Sequence, residues 1–130
     1  MFDLALVLAN GSDPLMRFSS VCPANFYGAY QATQHLIDAG HRKILHYTYR
    51  HRPTILQRRR GFEAAVAANP GTEGIAVISN EHTSKDLLAA LLDGKYDVTA
   101  VFCWNDSVAV TMVESLLGQD SPMRSGFSIM

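Results

Sequence analysis

The sequence predicts a three-layer α/β/α fold with a mainly parallel sheet, and three observations support this prediction. Short apolar runs, of the kind that form buried strands, alternate with helical segments of roughly ten to fifteen residues, which is the pattern of βαβ units. Glycines and a proline-containing turn lie between the segments, where they end helices. At residues 98–109, VTAVFCWNDSVA, an apolar run stops at Asn-Asp-Ser, and apolar residues at helical spacing follow. This pattern is typical of a buried parallel strand that leads into a helix.

Composition limits the classes of protein to which the chain can belong. Its 130 residues are the size of one ordinary domain, and 48% hydrophobic with 18% charged residues is typical of a soluble globular protein. A net charge of −1 provides no general attraction to nucleic acid or anionic lipid, which argues against DNA binding by this chain itself. No apolar stretch is long enough to span a membrane, and the start lacks the features of a signal peptide, so the expected location is the cytoplasm.

The amino-terminal part begins with a predicted strand at residues 2–8, which a turn rich in Asn, Gly, Asp and Pro ends. A short strand at residues 19–22 precedes a helix at residues 25–39, with Asn25 as the expected N-cap. Gly40 is expected to end this helix in the left-handed conformation. The apolar positions repeat with helical spacing and predict an inner face of Tyr30, Thr33, Leu36 and Ile37.

The middle of the chain predicts one further strand and helix. A strand at residues 43–48 leads into a basic, proline-containing loop at residues 49–54, and a helix at residues 55–68 follows. An Asn-Pro-Gly turn stops that helix. Its apolar stripe is formed by Ile55, Phe62, Ala65 and Val66.

The carboxyl-terminal part repeats the alternation. A strand at residues 75–79 and a leucine-rich helix at residues 83–93 come first, and Gly94 ends the helix. A strand at residues 99–103 and a helix at residues 106–118 follow, and a last strand begins near Phe127. Of the two cysteines, too few for a disulfide scaffold, Cys103 is predicted to be a core residue.

The helix at residues 106–118, with Asp106 as its expected N-cap, has an unusually wide apolar surface. Its apolar residues cover about half the circumference, whereas packing on one face of a sheet needs roughly 100°. Either the helix makes a second contact, with another helix or a dimer partner, or it is simply more buried than average. The apolar residues are Val108, Ala109, Val110, Met112, Val113, Leu116 and Leu117.

Two side chains are candidates for ligand binding at the carboxyl edge of the sheet, where open α/β sheets bind ligands. Asn105 follows a predicted buried strand, and its amide offers both a donor and an acceptor. Arg58 lies in the first turn of a helix that also follows a strand, and a guanidinium can pair with vicinal hydroxyls or a carboxylate. Arg58 either binds ligand or shares a solvated basic face with Arg59 and Arg60.

Metal and catalytic sites have little support. His41, His46 and His51 recur every five residues, but this step fits neither one strand face nor one helix face, and no carboxylate or cysteine completes a zinc shell. The chain has no G-x-S-x-G nucleophile motif and no glycine-rich phosphate loop. The sequence therefore predicts no enzyme, no metal and no cofactor.

Three segments resemble the lac-repressor (LacI) family of bacterial transcription regulators. Residues 25–44, NFYGAYQATQHLIDAGHRKI, are similar to the family pattern D-N-x-x-G-x-x-x-A-x-x-H-L-I-x-x-G-H-[RK]-x-I, although Ala24 replaces its aspartate. Residues 58–62, RRRGF, are similar to R-x-x-G-[FY], and residues 101–106, VFCWND, to [VA]-[FL]-x-x-N-D. The resemblance covers about residues 2–130.

The resemblance implies a periplasmic-binding-protein-like domain of two subdomains around a cleft that holds a small effector, often a sugar or nucleobase. Residues 1–17 would be the last strand of the amino-terminal subdomain with its crossover, and residues 18–130 the carboxyl-terminal subdomain. Arg58 and Asn105 would contact the effector, and Asn80 would lie at a further cleft position. The chain would then carry only part of the cleft and bind ligand weakly.

The function that the resemblance implies is effector binding and homodimerisation within a bacterial transcription repressor. Operator DNA would be bound only through a helix-turn-helix headpiece, which this sequence does not include. The main alternative is the solute-binding module of a sugar transport system, for which a secretion signal and a second lobe would be needed. A small α/β enzyme and a plain dimerisation module are further alternatives.

Overall fold

The computed structural model describes residues 4–50, 52–79, 84–118 and 127–130. Within these residues, helices and strands alternate after an initial pair of strands. In chain order the elements are β1 (Val7–Ala9), β2 (Ser19–Val21), α1 (Asn25–Asp38), β3 (Lys43–Tyr49), α2 (Pro53–Ala68), β4 (Glu73–Ser79), α3 (Ser84–Leu92), β5 (Ala100–Cys103), α4 (Asp106–Leu117) and β6 (Ser128–Ile129).

The main sheet has four parallel strands in the order β4-β3-β5-β6. Strand β3 lies between β4 and β5, with Tyr47 opposite both Val77 and Cys103. Parallel neighbours require crossover connections, which α2 and the later helices provide. The predicted α/β class with a mainly parallel sheet is therefore confirmed, and the carboxyl ends of β3 and β5 meet at one edge.

The core lies in two layers on opposite faces of this sheet. Ile44 contributes to the layer that contains Leu36 of α1 and Phe62 of α2. Its neighbour Leu45 contributes to the layer that contains Leu87 of α3 and Met112 of α4. Because successive strand residues point to opposite faces, this alternation places helices on both sides of the sheet and makes the fold three-layered.

The strands β1 and β2 form a separate parallel pair, in which Val7 lies opposite Ser19. Both strands are largely exposed, and Val7 and Val21 are 58% and 70% exposed. The first strand starts later than the predicted residues 2–8, of which residues 2 and 3 lie outside the described part. The division of the chain between residues 17 and 18 stays a prediction.

One helix start and two N-caps differ from the predicted ones. Helix α2 begins at Pro53 rather than residue 55, because proline is well suited to the first helical position, where no N–H bond is needed. Asn25 is already helical and Ala24 occupies the N-cap position, so Asn25 is not the cap of α1. The N-cap of α4 is Asn105, whose backbone is extended and whose side chain accepts from the Val108 N–H. Asp106 lies one residue too far inside the helix to cap it.

Burial agrees with most of the predicted core. Leu36, Ile37, Phe62 and Cys103 are buried, and Tyr30 is only half-buried. On α4 only Met112 is fully buried, whereas Val110, Val113 and Leu117 are 54%, 39% and 81% exposed. The explanation that α4 is simply more buried than average is therefore wrong for this chain. Among the described helices, none is both long and apolar enough to cross a membrane.

Candidate functional site

A cleft of about 430 Å³ opens at the carboxyl edge of the main sheet. The start of α1, the end of β5 and the start of α4 form its walls, together with one side chain from α2. Both Arg58 and Asn105 line it, so the structure brings these two predicted candidates together. Other residues in the lining are Asn25, Gly28, Phe102, Asp106 and Met130.

Arg58 reaches the cleft from α2 and is half-buried there. Its Nε donates to the side-chain oxygen of Asn25 at 2.9 Å, and its Nη1 donates to the backbone carbonyl of Trp104. These bonds tie α2 to the start of α1 and to the end of β5. The guanidinium is therefore held in one orientation before any ligand arrives.

Asn105 has a structural task at the same edge. Its Oδ1 accepts from the Val108 N–H at 2.9 Å, which satisfies one of the free backbone donors at the start of α4. The side chain is exposed and its Nδ2 makes no hydrogen bond within the described residues. Asn105 can therefore present a donor to the cleft while it caps the helix.

Asn25, which is 5% exposed, is also a polar side chain that sequence reasoning assigned wrongly. Its Nδ2 donates to the Pro23 carbonyl at 3.1 Å, and its Oδ1 accepts from Arg58. Both hydrogen-bonding groups of the amide are thus used within the protein. A polar residue at a helix start reads as a cap from sequence, and only the packing of α1 against α2 reveals the contact with Arg58.

Close packing between α1 and α2 depends on Gly61, one turn after Arg58. A Cβ at this position would overlap the backbone carbonyl of Phe26 and lie 3.0 Å from the Cβ of Ala29. Only glycine allows the two helices to approach this closely, and this approach lets Arg58 reach Asn25. The R-x-x-G spacing therefore has a direct physical explanation.

The other basic residues of this helix behave as a solvated face. Arg59 forms an ion pair with Glu63 at 2.8 Å on the surface, and Arg60 is exposed. Neither lines the cleft. Asn80, the third predicted site residue, lies outside the described residues.

Two of the three histidines that recur every five residues, His41 and His46, make structural contacts, and His51 lies outside the described residues. His41 joins the starts of β5 and β6 through hydrogen bonds with Thr99 Oγ1 at 2.7 Å and Ser128 Oγ at 2.9 Å. His46 is fully buried between the rings of Phe62 and Phe102. Among the residues that the structure describes, no three His, Cys, Asp or Glu side chains are grouped for metal binding.

Two further side chains near the cleft, those of Trp104 and Cys103, are buried in the core. Trp104 is 6% exposed and packs on Tyr47 and Tyr49, with ring centroids 4.8 and 5.8 Å apart, so its ring offers no open face for stacking. Burial raises the pKa of the Cys103 thiol to about 12. A thiol with this pKa stays protonated near neutral pH and is not an effective nucleophile.

A parallel sheet with a cleft at its carboxyl edge is the arrangement in which open α/β domains commonly bind small molecules. Residues 5–126 match the family described as periplasmic binding proteins and the sugar-binding domain of the LacI family. The chain belongs to this family.

Individual relatives of this chain are transcription regulators. The HTH-type transcriptional regulator GalR of Salmonella typhimurium is 31% identical over 109 residues, which are 80% of this chain and 32% of the relative. The ribose operon repressor of Haemophilus influenzae is 35% identical over 111 residues, 79% of this chain and 32% of the relative. The crystal structure of a LacI-family transcriptional regulatory protein from Corynebacterium glutamicum superimposes with a TM-score of 0.68 and 32% identity, over 85% of this chain and 46% of that chain. The chain spans about a third of the length of the curated relatives it matches.

Proposed function

We propose that this chain is part of the effector-binding domain of a LacI-family transcription repressor. We further propose that the effector, a sugar or a chemically related small molecule, binds in the cleft beside Arg58. The observation that carries the proposal is the cleft itself, with a guanidinium and an amide donor at the carboxyl edge of the sheet. Polar groups placed in this way suit the hydroxyls of a small polar ligand. The relatives that carry sugar-related names support the same class of effector.

Three residues carry the proposed contacts. Arg58 donates from its guanidinium, and Asn105 donates from the amide nitrogen that the helix cap leaves free. Asn80 is proposed as a further effector contact, from the sequence resemblance alone. We expect affinity to be weak, because the second subdomain that the family resemblance implies would form the rest of the cleft, and a weakly enclosed ligand buries little surface.

The wider function follows as part of the same proposal. Operator binding would belong to a helix-turn-helix headpiece outside this sequence, and residues 1–17 would belong to the second subdomain. The exposed face of α4 would mediate homodimerisation. The transport alternative is not favoured, because the curated relatives are transcription regulators. That the chain is not an enzyme stays a prediction.

The proposal is tested by titrating the chain with galactose, ribose and adenine while backbone amide signals are recorded by NMR. We expect at least one compound to shift the signals of Asn105 and of the residues around Arg58, with a Kd near 1 mM, or about −4 kcal/mol. Asn105→Ala is expected to weaken this binding further. Shifts confined to residues away from the cleft, or no shift with any polar metabolite, would count against effector binding here.

A further inference from the structure

Arg58 is a half-buried cation with no acidic partner among the described residues. The ion pairs among the described residues join Arg17 to Asp13, Lys43 to Asp97 and Arg59 to Glu63, and none includes Arg58. Its two acceptors, the Asn25 amide oxygen and the Trp104 carbonyl, are both neutral. A partly desolvated charge with only neutral partners is stabilised less than one with a counter-ion, so the site favours an added negative charge.

Arg58 lines the cleft and has N–H donors that no described residue uses. A guanidinium has five N–H donors, and no acceptor among the described residues contacts Nη2. Because Nε and Nη1 are anchored to α1 and β5, the plane of the group is fixed. A fixed guanidinium with a free N–H pair matches the geometry of carboxylate and phosphate oxygens.

No described acidic residue of the lining contacts Arg58 directly. Asp106 is the one acidic residue among the lining residues, and it is exposed in the first turn of α4 with no ion pair to Arg58. Pro23, Ala24 and Gly28 also line the cleft, and the first turn of α1 carries no acidic residue. The described lining thus has one positive and one negative side chain, and the guanidinium itself has no counter-ion among the described residues.

We infer that the effector is anionic: a small polyol that carries a carboxylate or phosphate group, whose oxygens pair with Arg58. Asn25 is the positioning residue, because it holds the guanidinium through Nε and is itself held by the Pro23 carbonyl. This inference rests on the proposed function and goes further by defining the charge of the ligand. Arg58 contacts the ligand, and Asn25 acts through Arg58.

The experiment compares neutral and anionic members of matched pairs, titrated against the whole chain by NMR at low and at moderate salt. Ribose is compared with ribose 5-phosphate, and galactose with galacturonate, so that the two pairs distinguish a phosphate from a carboxylate. We expect at least one anion to bind about tenfold more tightly than its neutral partner, because a charge-assisted bond is added. Added salt is expected to reduce this difference.

Variants identify the group responsible. Arg58→Gln is expected to abolish the preference for the anion, and Asn25→Ala to reduce it while the amide spectrum stays that of a folded protein. Arg60→Gln removes the same charge from the same helix outside the cleft and is expected to leave the preference unchanged.

The outcomes separate the two proposals. If ribose or galactose binds as tightly as its anionic partner, the inference is overturned and effector binding by the chain stands. If Arg60→Gln reduces the preference as much as Arg58→Gln, only the overall charge matters and the inference is again wrong. If neither neutral nor anionic probes bind at the cleft, the proposed function fails together with the inference.

Discussion

At the scale of single residues, Asn105 shows how one amide can serve both the fold and the site. Its oxygen caps α4 while its nitrogen remains available at the cleft. Replacement by alanine removes the cap and is expected to lower the free energy of unfolding by about 1 kcal/mol. Asn105→Asp retains an acceptor at the same position, so its stability in urea denaturation is expected to stay close to that of the wild type.

Asp106→Ala is the matched control for the capping assignment. Asp106 lies in the first turn of α4, where it interacts favourably with the helix dipole but does not accept from the Val108 N–H. Its loss is expected to cost only about half a kcal/mol. A larger loss for Asp106→Ala than for Asn105→Ala would restore the sequence-based assignment of Asp106 as the cap.

The second residue-scale prediction concerns His46 and pH. Burial between Phe62 and Phe102 lowers its pKa from 6.5 to about 4, although a hydrogen bond to the Phe102 carbonyl opposes this shift. The unfolded chain therefore binds a proton that the native chain excludes. Stability from this residue is complete above pH 6.5 and is lost as the pH falls towards 4, by on the order of 3 kcal/mol.

The measurement is urea denaturation at intervals from pH 7 to pH 4. In His46→Phe this contribution is expected to disappear, so that stability falls less steeply with acid than in the wild type. His35→Gln removes an exposed histidine from α1 and should retain the wild-type pH dependence. Equal slopes for the wild type and His46→Phe would show that His46 is not buried in its neutral form.

The sequence predicted which residues line the cleft, but it did not predict the hydrogen bonds between them. Arg58 and Asn105 were predicted at one edge because each follows a strand of a parallel sheet, and the structure has both in the cleft lining. The contact between Arg58 and Asn25 joins residues 33 positions apart and depends on how two helices cross. Local periodicity contains no information on such a crossing, so the role of Asn25 was not predictable.

At the scale of elements, the α1–α2 contact is controlled by glycine. Gly61→Ala is expected to force the two helices apart and to destabilise the chain by about 1–3 kcal/mol, because its Cβ would overlap backbone atoms of α1. Gly28 lies within α1 with open space around its missing Cβ. Gly28→Ala should therefore stabilise the helix, by about 0.5–1 kcal/mol. Urea denaturation of both variants measures these changes in stability. Equal effects of the two substitutions would contradict the close approach of α1 and α2 at Gly61.

The order of the helices and strands was predictable from the sequence, but the pairing of the first two strands was not. Alternating strands and helices correctly predicted a parallel sheet, since short connections leave little room for other arrangements. Strands β1 and β2 are three residues each and largely exposed, so no hydrophobic pattern indicates that they pair with each other rather than with the main sheet. Their pairing is set by contacts between distant backbone groups.

At the scale of the whole molecule, the outer face of α4 is apolar and is not covered by any of the described residues. Val110, Val113 and Leu117 lie on one side of α4, at the spacing that brings helical residues together. Adjacent exposed apolar residues of this kind commonly mark an interaction surface. The homodimer that the family resemblance implies would cover them, and the fold of the single chain does not.

Dimerisation through α4 is therefore the prediction that belongs to the whole molecule. Sedimentation of the chain over a range of concentrations is expected to show a monomer–dimer equilibrium. Val113→Glu is expected to shift it to the monomer, because dimer formation would bury an unpaired carboxylate. Leu56→Glu introduces the same charge at another exposed leucine, on α2, and should leave the equilibrium unchanged. A Val113→Glu chain that dimerises like the wild type would place the contact elsewhere, and the wide apolar arc of α4 would then have no role in assembly.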